Sequence, residues 1–149
     1  MILKKLTLPS LLLFVSFNLK AQHFFQDNNG LWGVKSAVGQ VLVAGKYEGF
    51  IPPVFLEGLA EVRINGKHGF VDTAGKEKVP LKYDGAHFFS DGLAAVKLNG
   101  KWGFVDKTGK VIIPLKYEAA DNFKNGKVKV MLNEKFIYID KTGKEVEPN

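Results

Sequence analysis

Between Leu93 and Leu98 the chain alternates, with Ala94, Val96 and Leu98 on one side and Leu93, Ala95 and Lys97 on the other. A period of two is that of a β-strand. Asn99-Gly100 follows, a dipeptide that tolerates positive φ at both positions and so predicts a two-residue type I′ hairpin. The next strand, Lys101 to Asp106, sets Trp102 and Phe104 on one face. Asp106-Lys107-Thr108-Gly109 then predicts a second turn, with the Asp side chain bonding the turn backbone and the Gly taking positive φ. A third strand, Lys110 to Glu118, aligns Val111, Ile113, Leu115 and Tyr117, and Ala119 to Asn125 leads onward. The pattern predicts three antiparallel strands per unit.

This pattern recurs. Gly69-Phe70-Val71-Asp72 returns as Gly103-Phe104-Val105-Asp106 and Pro80-Leu81-Lys82-Tyr83 as Pro114-Leu115-Lys116-Tyr117, each at an offset of 34, and residues 58–91 and 92–125 are identical at 19 of 34 positions. Forward, Asn133 to Lys144 begins a further, partial unit with Asp140 and Gly143 in register. Backward, the offset becomes 36, because two extra residues lie near Pro52-Pro53. The units are then 22–57, 58–91, 92–125 and 126–149, a single repeat domain over 22–149. Such self-similarity predicts an all-β array of tandem three-stranded antiparallel meanders, open and twisted, with a small propeller-like arrangement as the alternative. The open form is favoured because the fourth unit is partial, and Glu145 and Glu147 stand where Val111 and Ile113 stand in the third, a polar cap. The expected core between units comprises Val62, Ile64, Phe70, Val79, Leu81, Tyr83, Val96, Leu98, Trp102, Phe104, Ile113, Leu115, Tyr117, Val128, Val130 and Leu132.

The run Asn-Gly-Lys-Trp-Gly-Phe-Val-Asp-Lys-Thr-Gly-Lys-Val-Ile-Ile-Pro-Leu-Lys-Tyr at 99–117 resembles the WG repeat, also called KWG, of bacterial repeat proteins. The second unit has His68 in place of the tryptophan. The first keeps Trp32-Gly33 but has Ser36 for the turn Asp and Ala44 for the proline, and the fourth has Phe136-Ile137 for Trp-Gly. The resemblance implies β-rich modules, often in exported proteins, with no catalytic residues attached to the motif.

Residues 1–21 read differently. Lys4 and Lys5 precede an apolar run from Leu6 to Phe17, too short to span a bilayer as a helix, and Ala21 offers a small residue for cleavage. A signal peptide cut after Ala21 is expected, giving an exported chain, periplasmic or extracellular, with no transmembrane segment in its mature form. Removing Lys4, Lys5 and Lys20 lowers the basic excess from six to three. The remaining lysines recur singly, which argues against nucleic acid as a partner. The chain contains no cysteine, so a disulfide framework, a thiolate metal site, a cysteine nucleophile and a lipid-modified cysteine are all excluded.

The candidate chemistry is sparse. Asp72, Asp106 and Asp140, each followed three residues later by Gly75, Gly109 or Gly143, read as turn residues rather than a carboxylate cluster. Gly69 and Gly103 lie mid-strand, where glycine marks a bulge or a close backbone approach. Tyr83 and Tyr117 belong to the same repeated framework. Trp32, His68, Trp102 and Phe136 share one position and offer either core packing or a stacking platform. His23, His68 and His87 form no short metal-binding pair, and no nucleophile elbow or phosphate loop is present. No cofactor, no metal and no enzymatic activity is expected. The candidate contact residues are Trp32, Trp102 and the apolar insertion with Phe50, Ile51, Pro52, Pro53 and Phe55, which reads first as a segment folded down over the exposed end of the first unit and otherwise as a pre-ordered hydrophobic contact loop. The expected function is a non-catalytic interaction module for a protein or a cell-envelope glycan, with repeated Lys and Tyr as contact chemistry. The alternative is a structural or inhibitory protein that pairs a sheet edge, most naturally that of the partial fourth unit, with a partner strand.

Overall fold

The computed structural model describes residues 22–50 and 54–148, and among these every regular element is a strand. The expected signal peptide, and Ile51, Pro52 and Pro53 of the insertion, lie outside the described residues. Four antiparallel sheets follow one another along the chain. The first contains β1 (His23–Gln26), β2 (Trp32–Lys35) and β3 (Val41–Tyr47). The second contains β4 (Gly49–Phe50), β5 (Leu59–Ile64), β6 (Lys67–Asp72) and β7 (Glu77–Tyr83). The third contains β8 (Gly85–Ala86), β9 (Leu93–Leu98), β10 (Lys101–Asp106) and β11 (Val111–Tyr117), and the fourth β12 (Ala119–Ala120), β13 (Lys127–Leu132), β14 (Lys135–Asp140) and β15 (Glu145–Val146).

The turns form as their residues dictate. Asn65-Gly66 and Asn99-Gly100 take positive φ at both positions, as a type I′ hairpin requires. Each repeated Asp carboxylate accepts backbone N–H bonds from the residues two and four positions on, for Asp106 from Thr108 (2.8 Å) and Lys110 (3.1 Å). In the first unit Ser36 Oγ takes over, accepting from Gln40 N at 3.1 Å.

The three-stranded meander is extended by a short strand that the sequence pattern did not predict. β4, β8 and β12 pair with the first long strand of their sheets, and a second set of tight hairpins, at Glu57-Gly58, Asp91-Gly92 and Asn125-Gly126, also has positive φ at both residues. The connection between units is therefore itself a hairpin.

The mid-strand glycines mark a bulge. Trp102 pairs with Tyr117 and Phe104 with Ile113, so three residues of β11, Pro114 to Lys116, pass opposite Gly103 alone. A Cβ on Gly103 would lie 2.6 Å from the Ile113 carbonyl oxygen and 2.8 Å from Leu115 N. Gly69 meets the same obstruction from Val79 O and Leu81 N. A second register shift, between Phe104 and Val105, alters the expected alternation of the third strand: Ile113 and Tyr117 are buried, whereas Val111 is 41% exposed. Glu145, its counterpart, therefore caps nothing.

The core is three layers rather than one. Val34, Val43 and Tyr47 pack against Ala60, Val62 and Val71 of the second sheet. Phe70, Val79, Tyr83 and Phe89 pack against Ala94, Val96 and Val105 of the third. Phe104, Ile113 and Tyr117 pack against Val128, Val130 and Ile139 of the fourth. Ile64, Leu81, Leu98, Trp102, Leu115 and Leu132 are half-buried at the layer margins. Inner sheets are thus buried on both faces: Phe70 looks toward the third sheet and its neighbour Val71 toward the first. Among the described residues no apolar cluster joins the first sheet to the last and no closed barrel forms, so the array is open.

Cohesion between sheets is apolar. Gly92 N donates to the Glu57 carboxylate (3.1 Å), Gly126 N to Asp91 (2.8 Å) and Ser90 Oγ to Phe123 O (2.7 Å). Each such bond is worth about 1 kcal/mol net, whereas burying a single Phe or Val contributes about 1.5–3 kcal/mol. The turn glycines permit the close approach, since a Cβ on Gly109 would lie 2.7 Å from Lys78 O of the preceding sheet, and one on Gly75 would collide with the Val43 side chain.

Candidate functional site

The repeated aromatic position sits on the second long strand of every sheet, beside the bulge. Trp32, His68 and Trp102 pair across to Tyr47, Tyr83 and Tyr117. These tyrosines are each only 1% exposed. They belong to the layers and offer nothing to a partner, which corrects the expectation that Tyr supplies contact chemistry. Lys46, Lys82 and Lys116, one residue before each tyrosine, remain exposed with their ammonium groups 4.9 to 5.3 Å from the ring centroids. The edge strands β3, β7 and β11 of the first three sheets thus each present one exposed lysine.

The aromatic position changes character along the array. Trp32 is half-buried against the first layer. His68 Nδ1 lies 2.6 Å from Glu61 Oε1. Trp102 stacks on His87, with centroids 4.7 Å apart and planes 9° from parallel, and Lys97 Nζ is 5.8 Å from its ring. Phe136 is 57% exposed, and Lys129 Nζ lies 4.3 Å from its centroid. Each ring belongs to a different layer margin, so Trp32 and Trp102 do not meet in one platform.

The apolar insertion is anchored inward. Phe50 is buried, 4.5 Å from Phe24 and 5.3 Å from Tyr47 by ring centroid, and Phe55 stacks on Phe24 at 5.2 Å. Both side chains thus fill the first layer. Val54 beside them is exposed.

The turn carboxylates are committed to their turns. The Thr108 hydroxyl donates to Asp106 at 2.6 Å and the Thr142 hydroxyl to Asp140 at 2.6 Å, and these bonds hold both carboxyls below the usual range. Lys67 does the same to Asp84, whose other oxygen accepts from Asn99 N at 2.9 Å. In the second, third and fourth units the turn carboxylate, of Asp72, Asp106 or Asp140, is thus bonded to its own turn backbone. Among the described residues no group of three or more His, Asp or Glu side chains is placed to hold a metal ion.

Sequence reasoning missed the Glu61–His68 pair. Glu61 is 6% exposed and the one buried charged residue of the described core. Burial pushes its carboxyl up, while the hydrogen bond from His68 and the charges of His68 and Arg63 act the other way. The signal was available in the repeat: Ala95 and Trp102 occupy these positions in the third unit, so acid and histidine changed together.

The two outermost faces differ from the interior. On the first sheet Lys35 Nζ lies 4.4 Å from the Phe25 centroid. On the fourth, a shallow groove is lined by Phe136, Tyr138, Val146, Glu145 and Glu147, with Lys129 above Phe136.

The family model described as "WG containing repeat" matches the chain three times in tandem, at residues 32–67, 69–102 and 102–136. No curated protein matches the chain at a significant level.

Proposed function

The chain belongs to the WG-repeat family, and from that premise we propose that it is an exported, non-catalytic interaction module that presents its edge to a protein or a cell-envelope glycan. The observation that carries this reading is repetition without a singular site. Lys46, Lys82 and Lys116 recur on successive sheets, exposed, beside half-buried Trp32, His68 and Trp102. Sheets pack about 10 Å apart, so such a row suits an extended partner contacted at several points better than a small molecule enclosed at one. Export rests on the residue pattern of 1–21. Affinity purification with the chain from its own host's envelope fraction and culture medium tests the reading, with mass spectrometry and glycan analysis of what is retained. A specific component is expected that is lost in a Lys46→Ala, Lys82→Ala, Lys116→Ala variant of unchanged far-UV circular dichroism. Retention of nothing by folded protein would overturn it. Amino-terminal sequencing of the exported form is expected to begin at Gln22.

One observation favours the edge-pairing alternative, at a different strand from the one the sequence pointed to. β3, β7 and β11 are edge strands, and Pro80 and Pro114 block two of them, because proline has no N–H to offer an incoming strand. Ala44 stands at that position in β3, flanked by exposed Val41 and Leu42. Under this reading Ala44→Pro abolishes partner capture while the lysine variant retains it.

A further inference from the structure

Two repeated positions distinguish the inner faces of the array from its outer ones. At the first, Val71, Val105 and Ile139 look toward the preceding sheet and are at most 1% exposed. Their counterpart on the outer face of the first sheet is Lys35. Ala95 looks toward the following sheet and is 1% exposed. Its counterpart on the outer face of the fourth sheet is Lys129. The repeat thus places a lysine at each outermost face, where the interior has Val71, Val105 or Ile139 at the Lys35 position and Glu61 or Ala95 at the Lys129 position.

Both lysines make the same contact. Lys35 lies over Phe25, whose counterparts Val62, Val96 and Val130 are fully buried, and Lys129 lies over Phe136, whose counterpart is Trp102. A cation held over a ring face is attractive. It also lays the lysine stem across apolar surface with its charge in water. We infer that Lys35 and Lys129 are end caps that prevent the outer face of one copy from receiving the outer face of another, so that the array remains a single finite stack.

The outer faces are the two halves of a layer already made three times within the chain, so a second copy is the partner they would fit. Joining them head to tail is a heterologous contact that does not close and so propagates into fibres. In the layer between the third and fourth sheets Ala95 and Ile139 share one cluster. A fourth layer formed between copies would bury Lys129 of one with Lys35 of the next, two like charges taken from water without a carboxylate. Glu61 shows what a charge in such a layer requires, since it occupies the Lys129-equivalent position and is bonded to His68 at 2.6 Å.

Sedimentation velocity over a wide concentration range tests the inference. The unaltered chain is expected to stay monomeric. A Lys35→Val, Lys129→Ala variant, which restores the interior residues, is expected to associate, its weight-average mass rising past about twice the monomer's as concentration increases. Lys129→Glu alone is a second route, because it sets a carboxylate against Lys35 of the next copy, and its association is expected to weaken as salt is added. Circular dichroism identifies variants that have kept the fold. Folded variants that all remain monomeric would overturn the inference, as would an unaltered chain that itself forms concentration-dependent oligomers suppressed by Phe25→Lys.

Discussion

Replacing Gly103 with alanine isolates the reason for the glycine in the repeated motif. Gly103 does not take positive φ, so the usual argument for a turn glycine does not apply to it. Its cost is steric. The added Cβ would lie 2.6 Å from Ile113 O, 2.8 Å from Leu115 N and 2.8 Å from Pro114 C, all of them backbone atoms that cannot rotate away. Comfortable heavy-atom contacts begin at about 3.5 Å, so the bulge of β11 must retreat by nearly 1 Å. That retreat pulls on Ile113 and Tyr117, each 1% exposed in the third layer. Overpacking of this kind costs about 1–3 kcal/mol and occasionally more. A strand alanine recovers about 0.5–1 kcal/mol in backbone entropy, but the distorted bulge also gives up core contacts, and we expect a net loss of about 3 kcal/mol. Gly100→Ala is the control, because its φ is +80° and nothing lies near its Cβ, so it should lose only about 1 kcal/mol. Urea denaturation followed by tryptophan fluorescence and far-UV circular dichroism gives both values from the midpoint shift at constant slope. A Gly103→Ala loss equal to or smaller than that of Gly100→Ala would refute the steric account of the motif glycine.

Further outcomes follow from the same geometry. Glu134 takes φ +62° where the equivalent hairpins have glycine, so Glu134→Gly should raise stability by about 1 kcal/mol in the same denaturation assay. Asp84, Asp106 and Asp140 have carboxyls lowered in the folded state, so they bind fewer protons folded than unfolded; their contribution is present above the ordinary carboxylate pKa and is lost as pH falls through the folded value. Denaturation midpoints between neutral and acid pH should fall less steeply in an Asp106→Asn, Asp140→Asn variant. Glu61 has the opposite sign, its raised carboxyl favouring the fold below the unfolded value and ceasing to do so as pH rises through the folded one. The paired change Glu61→Ala with His68→Trp, which installs the third unit's residues, should cost less than His68→Ala alone, because the single change leaves a buried carboxyl without its partner.

The sequence made the period, the Asn-Gly and Asp-x-x-Gly turns and the mid-strand glycines legible, because each depends on two to four neighbouring residues. What it hid depends on the neighbouring unit. Leu93-Ala94-Ala95-Val96 was read as an alternation with one buried side, yet all four are buried, and an unbroken apolar run is what a strand covered on both faces produces. The hairpins at Glu57-Gly58 and Asp91-Gly92 carried the positive-φ glycine signal, but Glu57 is an unusual first turn residue. It is held there by Lys107 and by the Gly92 amide, 35 residues away in sequence. A strict period of two sets Val111 inward and cannot anticipate the register shift between Phe104 and Val105. Among the candidate contact residues, Phe50 and Phe55 are apolar enough for either a surface loop or a core. The first unit's layer, short of side chains because β1 has only four residues, takes them in.

A distance between the two outer faces tests the open succession of sheets most directly. The chain contains no cysteine, so a His23→Cys, Phe136→Cys variant carries spin labels on the first and fourth sheets alone. Three sheet-to-sheet spacings predict a single distribution centred at about 30 Å or beyond by double electron–electron resonance. A distribution centred below about 20 Å, little more than the spacing of adjacent sheets plus the labels, would mean that the first and last sheets face each other in a closed ring.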